Sequence, residues 1–324
     1  MKKIIFTIGI VSLSLLSCQE EKGSTTEEAA SSEGSLQKRG CATAEHLEQQ
    51  LLETPSLSVK MAEIEAFTEK TILQNPKNLK LVNGKIQIPV VVNVLYKTTA
   101  ENISQAQIQS QIDVLNRDFN ALNTDFSSVP SLFAGVKANV EITFYLQSII
   151  RKKTTTTSYS TNDAMKKNTT TGIAPTTPTT VLNLWSCNLG GGILGYAQFP
   201  GGATSTDGVV IDNNAFGTTG TVSAPYNKGR TGTHEVGHWL NLRHIWGDAT
   251  CGNDMVLDTP SHNGPNYGNP VFPHYSTCTG TPVEMTMNYM DYTDDLAMYM
   301  FTNGQKARMA ALFVSGGARY SFGQ

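Results

Sequence analysis

Residues 234–244 read His-Glu-Val-Gly-His-Trp-Leu-Asn-Leu-Arg-His, and the spacing within this run decides the fold. On an α-helix His234 and His238 share one face, so both imidazoles reach a single metal ion while Glu235 sits beside its water. His244 lies too far along for the same straight helix, so the chain must turn after Leu240 to bring it round as a third ligand. Asn241 stands at that turn, and after Gly it is Asn that best tolerates the left-handed conformation ending a helix. Three neutral imidazoles leave a fourth tetrahedral position for water, which marks a catalytic rather than a closed structural site. The run therefore predicts a zinc hydrolase in which Glu235 takes a proton from water and passes it to the leaving group.

A second element lies 46 residues beyond His244, where Met290 sits in the tight turn Met287-Asn-Tyr-Met-Asp-Tyr292. Met290 is expected as an apolar floor beneath the imidazoles and not as a ligand. Together with Thr293-Asp-Asp295 and with Leu-Asn-Leu-Trp-Ser-Cys-Asn-Leu-Gly-Gly-Gly at 182–192, these runs resemble the pappalysin family of metzincin proteases, in its bacterial cytophagalysin and ulilysin branch. The resemblance extends from about Ile86 to Phe313. Asn241 departs from it, since metzincins generally carry Gly there.

The resemblance implies an α/β (α+β) metzincin fold: a twisted mixed sheet, a backing helix, an active-site helix and a Met-turn in a C-terminal subdomain. It implies hydrolysis of peptide bonds in protein and peptide substrates, with zinc on His234, His238 and His244. Tyr292 becomes a second catalytic group whose hydroxyl approaches the tetrahedral intermediate. Cys41, in Arg39-Gly-Cys-Ala-Thr43, becomes the thiolate that occupies the zinc in a latent zymogen. Cys251 and Cys278, flanking a loop rich in Gly, Pro and Asn, become a disulfide. Asp295 lines the S1′ pocket and selects Arg or Lys at P1′, after the scissile bond, which makes self-activation before Lys60 or Lys70 possible. The loop carrying Asp254, Asp258 and Thr259 holds calcium in the family, and its oxygens suit a hard cation. His262 and His274, in the same region, are expected to bind no metal.

The N-terminus has its own logic. Met1, two lysines, an apolar stretch from Ile4 to Leu16 and Ser17 form a short export signal, too short to span a membrane. Leu15-Leu-Ser-Cys18 resembles the bacterial lipoprotein cleavage box, and the polar, acidic residues that follow suit a disordered tether. The expected division is 1–17 signal, 18–40 tether, 41–80 propeptide and 81–324 catalytic domain. The product is exported and lipid-anchored to the outer membrane or cell surface, and propeptide cleavage releases it. Of five cysteines, Cys187 either pairs with Cys41 or is a buried apolar thiol among Leu182, Leu184, Trp185 and Leu189.

After the leader and propeptide about 240 residues remain, enough for one domain with a deep cleft. A net charge of −3 without a basic stripe gives nucleic-acid binding no support, and a monomer is expected. Ile86–Leu95 is a buried strand beginning near an edge at Pro89. Ser104 with Gln107 caps a long helix through Phe119 and Leu122. Val140–Leu146, Val181–Trp185, Ile193–Gln198 and Gly208–Ile211 are further strands. Helices follow at about 229–240 and from Thr302, capped with Gln305, to Phe313. Gly192 and Leu194 belong to an edge that pairs with an extended substrate. The Thr-rich stretch from Lys153 to Thr180 is a surface loop without a core role. Within the propeptide, Leu47, Leu51, Leu52, Met61, Ile64, Phe67 and Ile72 recur at helical spacing, broken at Pro55 and Pro76. Two other readings stay open, a catalytically inactive surface lipoprotein that binds peptides and a zinc hydrolase acting on a non-peptide bond.

Overall fold

The computed structural model describes residues 38–74 and 84–323. The signal at 1–17, the lipidation site Cys18, nearly all of the 18–40 tether and the propeptide end at 75–80 lie outside the described residues.

The sheet grows from the β-branched run Ile86–Tyr96 (β1). Its neighbours are Ile142–Lys153 (β2), Leu182–Cys187 (β3), Gly195–Ala197 (β4) and Val209–Asp212 (β5), in the order β2-β1-β3-β5-β4. All pairs are parallel except β4 with β5. A parallel sheet is covered on both faces, and the period of two shows which residue goes to which side. Ile86, Ile88, Val90, Val92 and Val94 of β1, with Leu182, Leu184, Val209 and Ile211, enter the main core. Trp185, Tyr196 and Val210 enter a second core on the opposite face. Pro89 lies where β1 is paired only with β2, because the pairing with β3 starts at Val90. There its missing N–H costs the ladder least.

On the main-core face lie Gln105–Asp118 (α3) and Arg230–Trp239 (α4). Ser104 caps α3 by accepting from the Gln107 amide at 3.0 Å, and Ile108, Ile112, Leu115 and Phe119 are buried. The helix stops short of the predicted Leu122. Ala121 takes a left-handed φ of 51°, the chain turns, and Leu122 is left 67% exposed.

The second face corrects the reading of 153–180. Among the described residues the Thr-rich loop covers much of it: Tyr159, Met165 and Ile173 are buried there beside Trp185, whose indole N–H donates to the Ile173 carbonyl at 2.9 Å. Composition suggested a solvated loop, but an apolar sheet face must be buried by whatever chain is near.

Beyond α4 regular structure is sparse. A disulfide joins Cys251 to Cys278, and Asn303–Ala311 (α5) begins with a full capping box between Thr302 and Gln305. The N-terminal segment forms two helices, Thr43–Glu53 (α1) and Ser56–Gln74 (α2), parted at Pro55. On α2, Glu65 accepts two N–H groups from the buried Arg308 of α5, at 2.6 and 2.8 Å. No helix among the described residues is long and apolar enough to cross a membrane.

The disulfide closes a loop of 27 residues, worth about 3 kcal/mol of chain entropy. Replacing both Cys251 and Cys278 by Ser is expected to lower unfolding free energy by that order in a denaturant titration at fixed zinc concentration, with the far-ultraviolet spectrum unchanged.

Candidate active site

The site is built around the end of α4. Leu240 closes the helix and Asn241 takes φ 68°. The Asn241 amide donates to the His238 carbonyl at 2.9 Å and the Leu242 amide to the Gly237 carbonyl at 3.0 Å. This double bond pattern around a left-handed residue is the Schellman closure. The reversal carries His244 back over the helix face, so that Nε2 of His238 lies 3.1 Å from Nε2 of both His234 and His244. Each outer nitrogen is engaged: Nδ1 of His234 donates to the Tyr289 carbonyl at 2.6 Å, Nδ1 of His238 to the Leu242 carbonyl at 2.8 Å, and Nδ1 of His244 faces the Asp248 carboxylate.

These donors fit zinc. Ring nitrogens about 2.0–2.1 Å from one point in a tetrahedron stand roughly 3.3 Å apart, close to what is found. Cys41 Sγ lies 3.6 Å from His238 Nε2, and the four donor atoms fall within 4.8 Å of one another. Burial, followed by the neighbouring imidazoles, holds His234 well below the usual range, and burial first of all brings His238 down to about 3. Both rings are thus held in the neutral form that binds metal. Burial, with the nearby Glu235 carboxylate, pushes the Cys41 thiol well up, so ionising it calls for a cation in the same pocket.

Beneath the imidazoles lies the turn at 287–292. A Cβ on Gly237 would come within 2.5 Å of Met290 Sδ, so the glycine inside the His-Glu-Val-Gly-His run lets the methionine press against the helix. The Tyr292 ring meets His244 edge-on at 4.8 Å, and its hydroxyl donates to the Cys41 carbonyl at 3.1 Å.

Above, the N-terminal segment crosses the cleft along the sheet edge. The Leu194 amide donates to the Gly40 carbonyl at 2.7 Å and the Ala42 amide to the Gly195 carbonyl at 3.1 Å, a parallel bridge onto β4. The Gly192 carbonyl stands 2.8 Å from where a Cβ on Gly40 would be. Thr43 Oγ1 donates to Glu235 Oε2 at 2.9 Å and accepts from the Ala197 amide at 2.9 Å. Burial raises the Glu235 carboxyl to about 7, against the hydrogen bonds from Thr43 and Cys41.

One step away, the Arg39 guanidinium is held by three groups and a ring. Nη2 donates to Asp295 Oδ1 at 2.6 Å, Nη1 to Thr231 Oγ1 at 3.1 Å and Nε to the Thr293 carbonyl at 3.1 Å. The Tyr226 ring lies 4.9 Å from the guanidinium carbon. The other oxygen of Asp295 accepts from the amides of Lys228 and Arg230 at the start of α4.

The three residues considered for calcium all take part in hydrogen bonds within the chain. Asp254 accepts from Thr259 Oγ1 at 2.9 and 3.0 Å. Asp258 accepts from Thr302 Oγ1 and the Gly304 amide at the N-terminus of α5. That carboxylate serves the positive end of a helix. Cys41 and Cys187 are both free and buried, so they form no disulfide. His262 and His274 lie near Glu284, away from the imidazole cluster. Sequence reasoning did not single out Arg39, Thr43 or Asp248. Arg39 and Thr43 flank Cys41 by two residues, and Asp248 follows His244 by four, so proximity to the motif was the available signal.

Residues 186–314 match the peptidase family described as pregnancy-associated plasma protein-A. An extracellular metalloprotease of Pyricularia oryzae is 31% identical over 277 residues, covering 82% of this chain and 85% of that protein. A promirolysin mutant of Tannerella forsythia superposes with a TM-score of 0.79 at 41% identity, covering 88% of this chain and 97% of that one. Mature mirolysin of the same organism, in complex with a cleaved peptide, gives 0.71 at 46% identity, covering 74% of this chain and 96% of that one.

The left-handed turn sets a testable cost. Asn241→Gly is expected to preserve stability, whereas Asn241→Val, β-branched at φ 68°, should lose about 1–2 kcal/mol in denaturant unfolding.

Proposed function

Starting from the fact that this chain belongs to the pappalysin family of metzincins and is a zinc metalloendopeptidase, we propose that it is made as a latent zymogen and cleaves proteins before Arg or Lys. The observation that carries this reading is the N-terminal segment lying across the cleft, with Cys41 at the imidazole cluster and Arg39 on Asp295.

His234, His238 and His244 would hold the zinc, with Cys41 as fourth ligand in the latent form. Bound zinc supplies an activated water and a Lewis-acid pull on the peptide carbonyl. Glu235 takes the proton from the water and returns it to the leaving amine. Tyr292 donates to the carbonyl oxygen as charge develops; its present donation to the Cys41 carbonyl supports that direction. Met290 keeps the floor apolar. Gly192 and Leu194 border the edge along which substrate lies, where the Leu194 amide already serves a backbone carbonyl.

Latency would rest on three contacts: Cys41 at the metal, Thr43 on the base Glu235, and Arg39 in the S1′ pocket. The pro form of mirolysin covers more of this chain than the mature form does, 88% against 74%, which supports a propeptide over 41–80 and a catalytic domain over 81–324. The Arg39 pocket also supports selection of Arg or Lys at P1′, because a guanidinium there finds a buried carboxylate, a hydroxyl and a carbonyl at once. The relatives named as extracellular support export; we infer a lipid anchor at Cys18 and a loop calcium on Asp254 and Thr259.

Two experiments test this. Glu235→Gln is expected to keep one zinc per chain by atomic absorption while kcat for peptide cleavage falls at least about 10³-fold; persisting cleavage removes the assigned base. Asp295→Asn, whose one carbonyl oxygen can still accept from the α4 amides, should reduce kcat/KM for peptides with Arg at P1′ by about 100-fold and hardly change those with Leu. Equal wild-type cleavage before Arg and Leu, read by mass spectrometry of a peptide digest, would discard the specificity proposal.

A further inference from the structure

The three imidazoles are not oriented alike. His234 and His238 are turned by main-chain carbonyls, Tyr289 and Leu242, inside the protein. His244 relies on a side chain, the Asp248 carboxylate. That side chain is 36% exposed while His244 is 1% exposed. It lines a groove with Arg243, Asn241 and, from the N-terminal segment, Thr43 and Glu48.

The loop is bent to make this contact. The Gly247 amide donates to the His244 carbonyl at 2.8 Å, and Gly247 and Asp248 both take left-handed φ, 62° and 57°. A non-glycine residue adopts that conformation only where surrounding contacts determine it. Trp246 lies flat on His244, ring centroids 4.4 Å apart and planes at 5°, and Tyr292 meets the Trp246 ring edge-on at 4.7 Å. Stacking fixes the plane of the imidazole but leaves open which nitrogen faces inward and how far the ring slides within that plane. The carboxylate supplies both: it accepts a hydrogen bond from Nδ1–H, so the proton stays on Nδ1 and the Nε2 lone pair is left facing the space shared with the Nε2 atoms of His234 and His238.

We propose that Asp248 is a positioning residue that fixes the tautomer and in-plane orientation of His244 and thereby sets the zinc affinity of the site. This rests on the reading of His234, His238 and His244 as the zinc ligands. Partners of metal-bound imidazoles change affinity by about 10- to 100-fold when removed. The two main-chain carbonyls cannot be removed by substitution, so Asp248 is the point at which sequence change tunes this metal centre without touching a ligand.

The test uses the full chain carrying Cys41→Ser and Glu235→Gln, so that the imidazoles alone hold the ion and the protein does not cut itself. Zinc affinity is measured by competition with a chromogenic chelator, and the melting temperature is taken for the zinc-free protein. Asp248→Ala is expected to raise the zinc Kd by about 10- to 100-fold. Asp248→Asn, which keeps an acceptor oxygen and loses the charge, should fall in between. The zinc-free melting temperature should stay within about 2 °C in both, a shift that corresponds to a small fraction of the stability. A Kd for Asp248→Ala within twofold of the background chain overturns the proposal, as does a weakening matched by loss of stability in the zinc-free protein. His244→Ala serves as the reference: if it keeps background affinity, the ligand assignment has failed, and the role of Asp248 with it.

Discussion

A straight helix can bring together only two of the three clustered imidazoles, so the geometry of this site depends on how the helix ends. At Asn241 the backbone goes left-handed, the amides of Asn241 and Leu242 close onto carbonyls of the last turn, and the chain doubles back with His244. The same reversal presents the Leu242 carbonyl to His238 Nδ1, so one turn both delivers the third imidazole and orients the second. Behind the helix end, Arg319 donates to Asp207 at 2.6 and 2.9 Å and lies 3.9 Å from the Trp239 ring. A cation buried against an aromatic face and a carboxylate keeps the closing turn from fraying.

The N-terminal segment lies across the imidazole cluster with little sheet-like pairing. It runs parallel to β4 through a short bridge, so ladder hydrogen bonds contribute little and side chains carry the attachment. Arg39 on Asp295 and Glu65 on Arg308 are ion pairs with at least one fully buried partner. Such pairs add little net stability because desolvation offsets attraction, but they strongly penalise misplacement. Attachment through separate contacts makes the segment's hold depend on chain continuity. While the chain is continuous each contact is intramolecular; a cut between α2 and β1 exchanges that effective concentration for a bimolecular equilibrium.

Much of the catalytic architecture was legible because it obeys periodicity. The i, i+4 spacing of His234 and His238, the apolar alternation of β1 and the Ser104 cap all follow from rules that act within a few residues. Failures came where burial is decided by distant chain. Leu122 continues the apolar step of α3, yet the turn at Ala121 leaves it exposed. Residues 153–180 look solvated, but the outer face of β3 and β5 had to be covered and this loop was the chain available. Thr43 and Asp248 were missed because a hydroxyl or carboxylate near a motif is common, and only the fold shows which one touches a functional atom.

The two halves of the catalytic domain hold their groups by different physics, and that difference explains the contrast. Before α4, apolar side chains alternating on strands position the sheet edge on which the N-terminal segment lies, and pattern is enough to reveal them. After α4, the turn that floors the site has almost no regular structure to lean on. It is fixed by polar contacts: Asn288 exchanges two amide hydrogen bonds with Gln305 at 2.9 Å, and Asn266 bridges the carboxylates of Glu284 and Asp291. Burial pushes the Asp291 carboxyl up to about 7, so that group remains affordable inside the protein only while Asn266 and the Tyr292 amide supply its hydrogen bonds. A buried network of this kind tolerates few alternative arrangements, since any shift leaves a polar atom unsatisfied. Met290 and Tyr292 are therefore placed by specificity of hydrogen bonding, where the histidine helix is placed by packing.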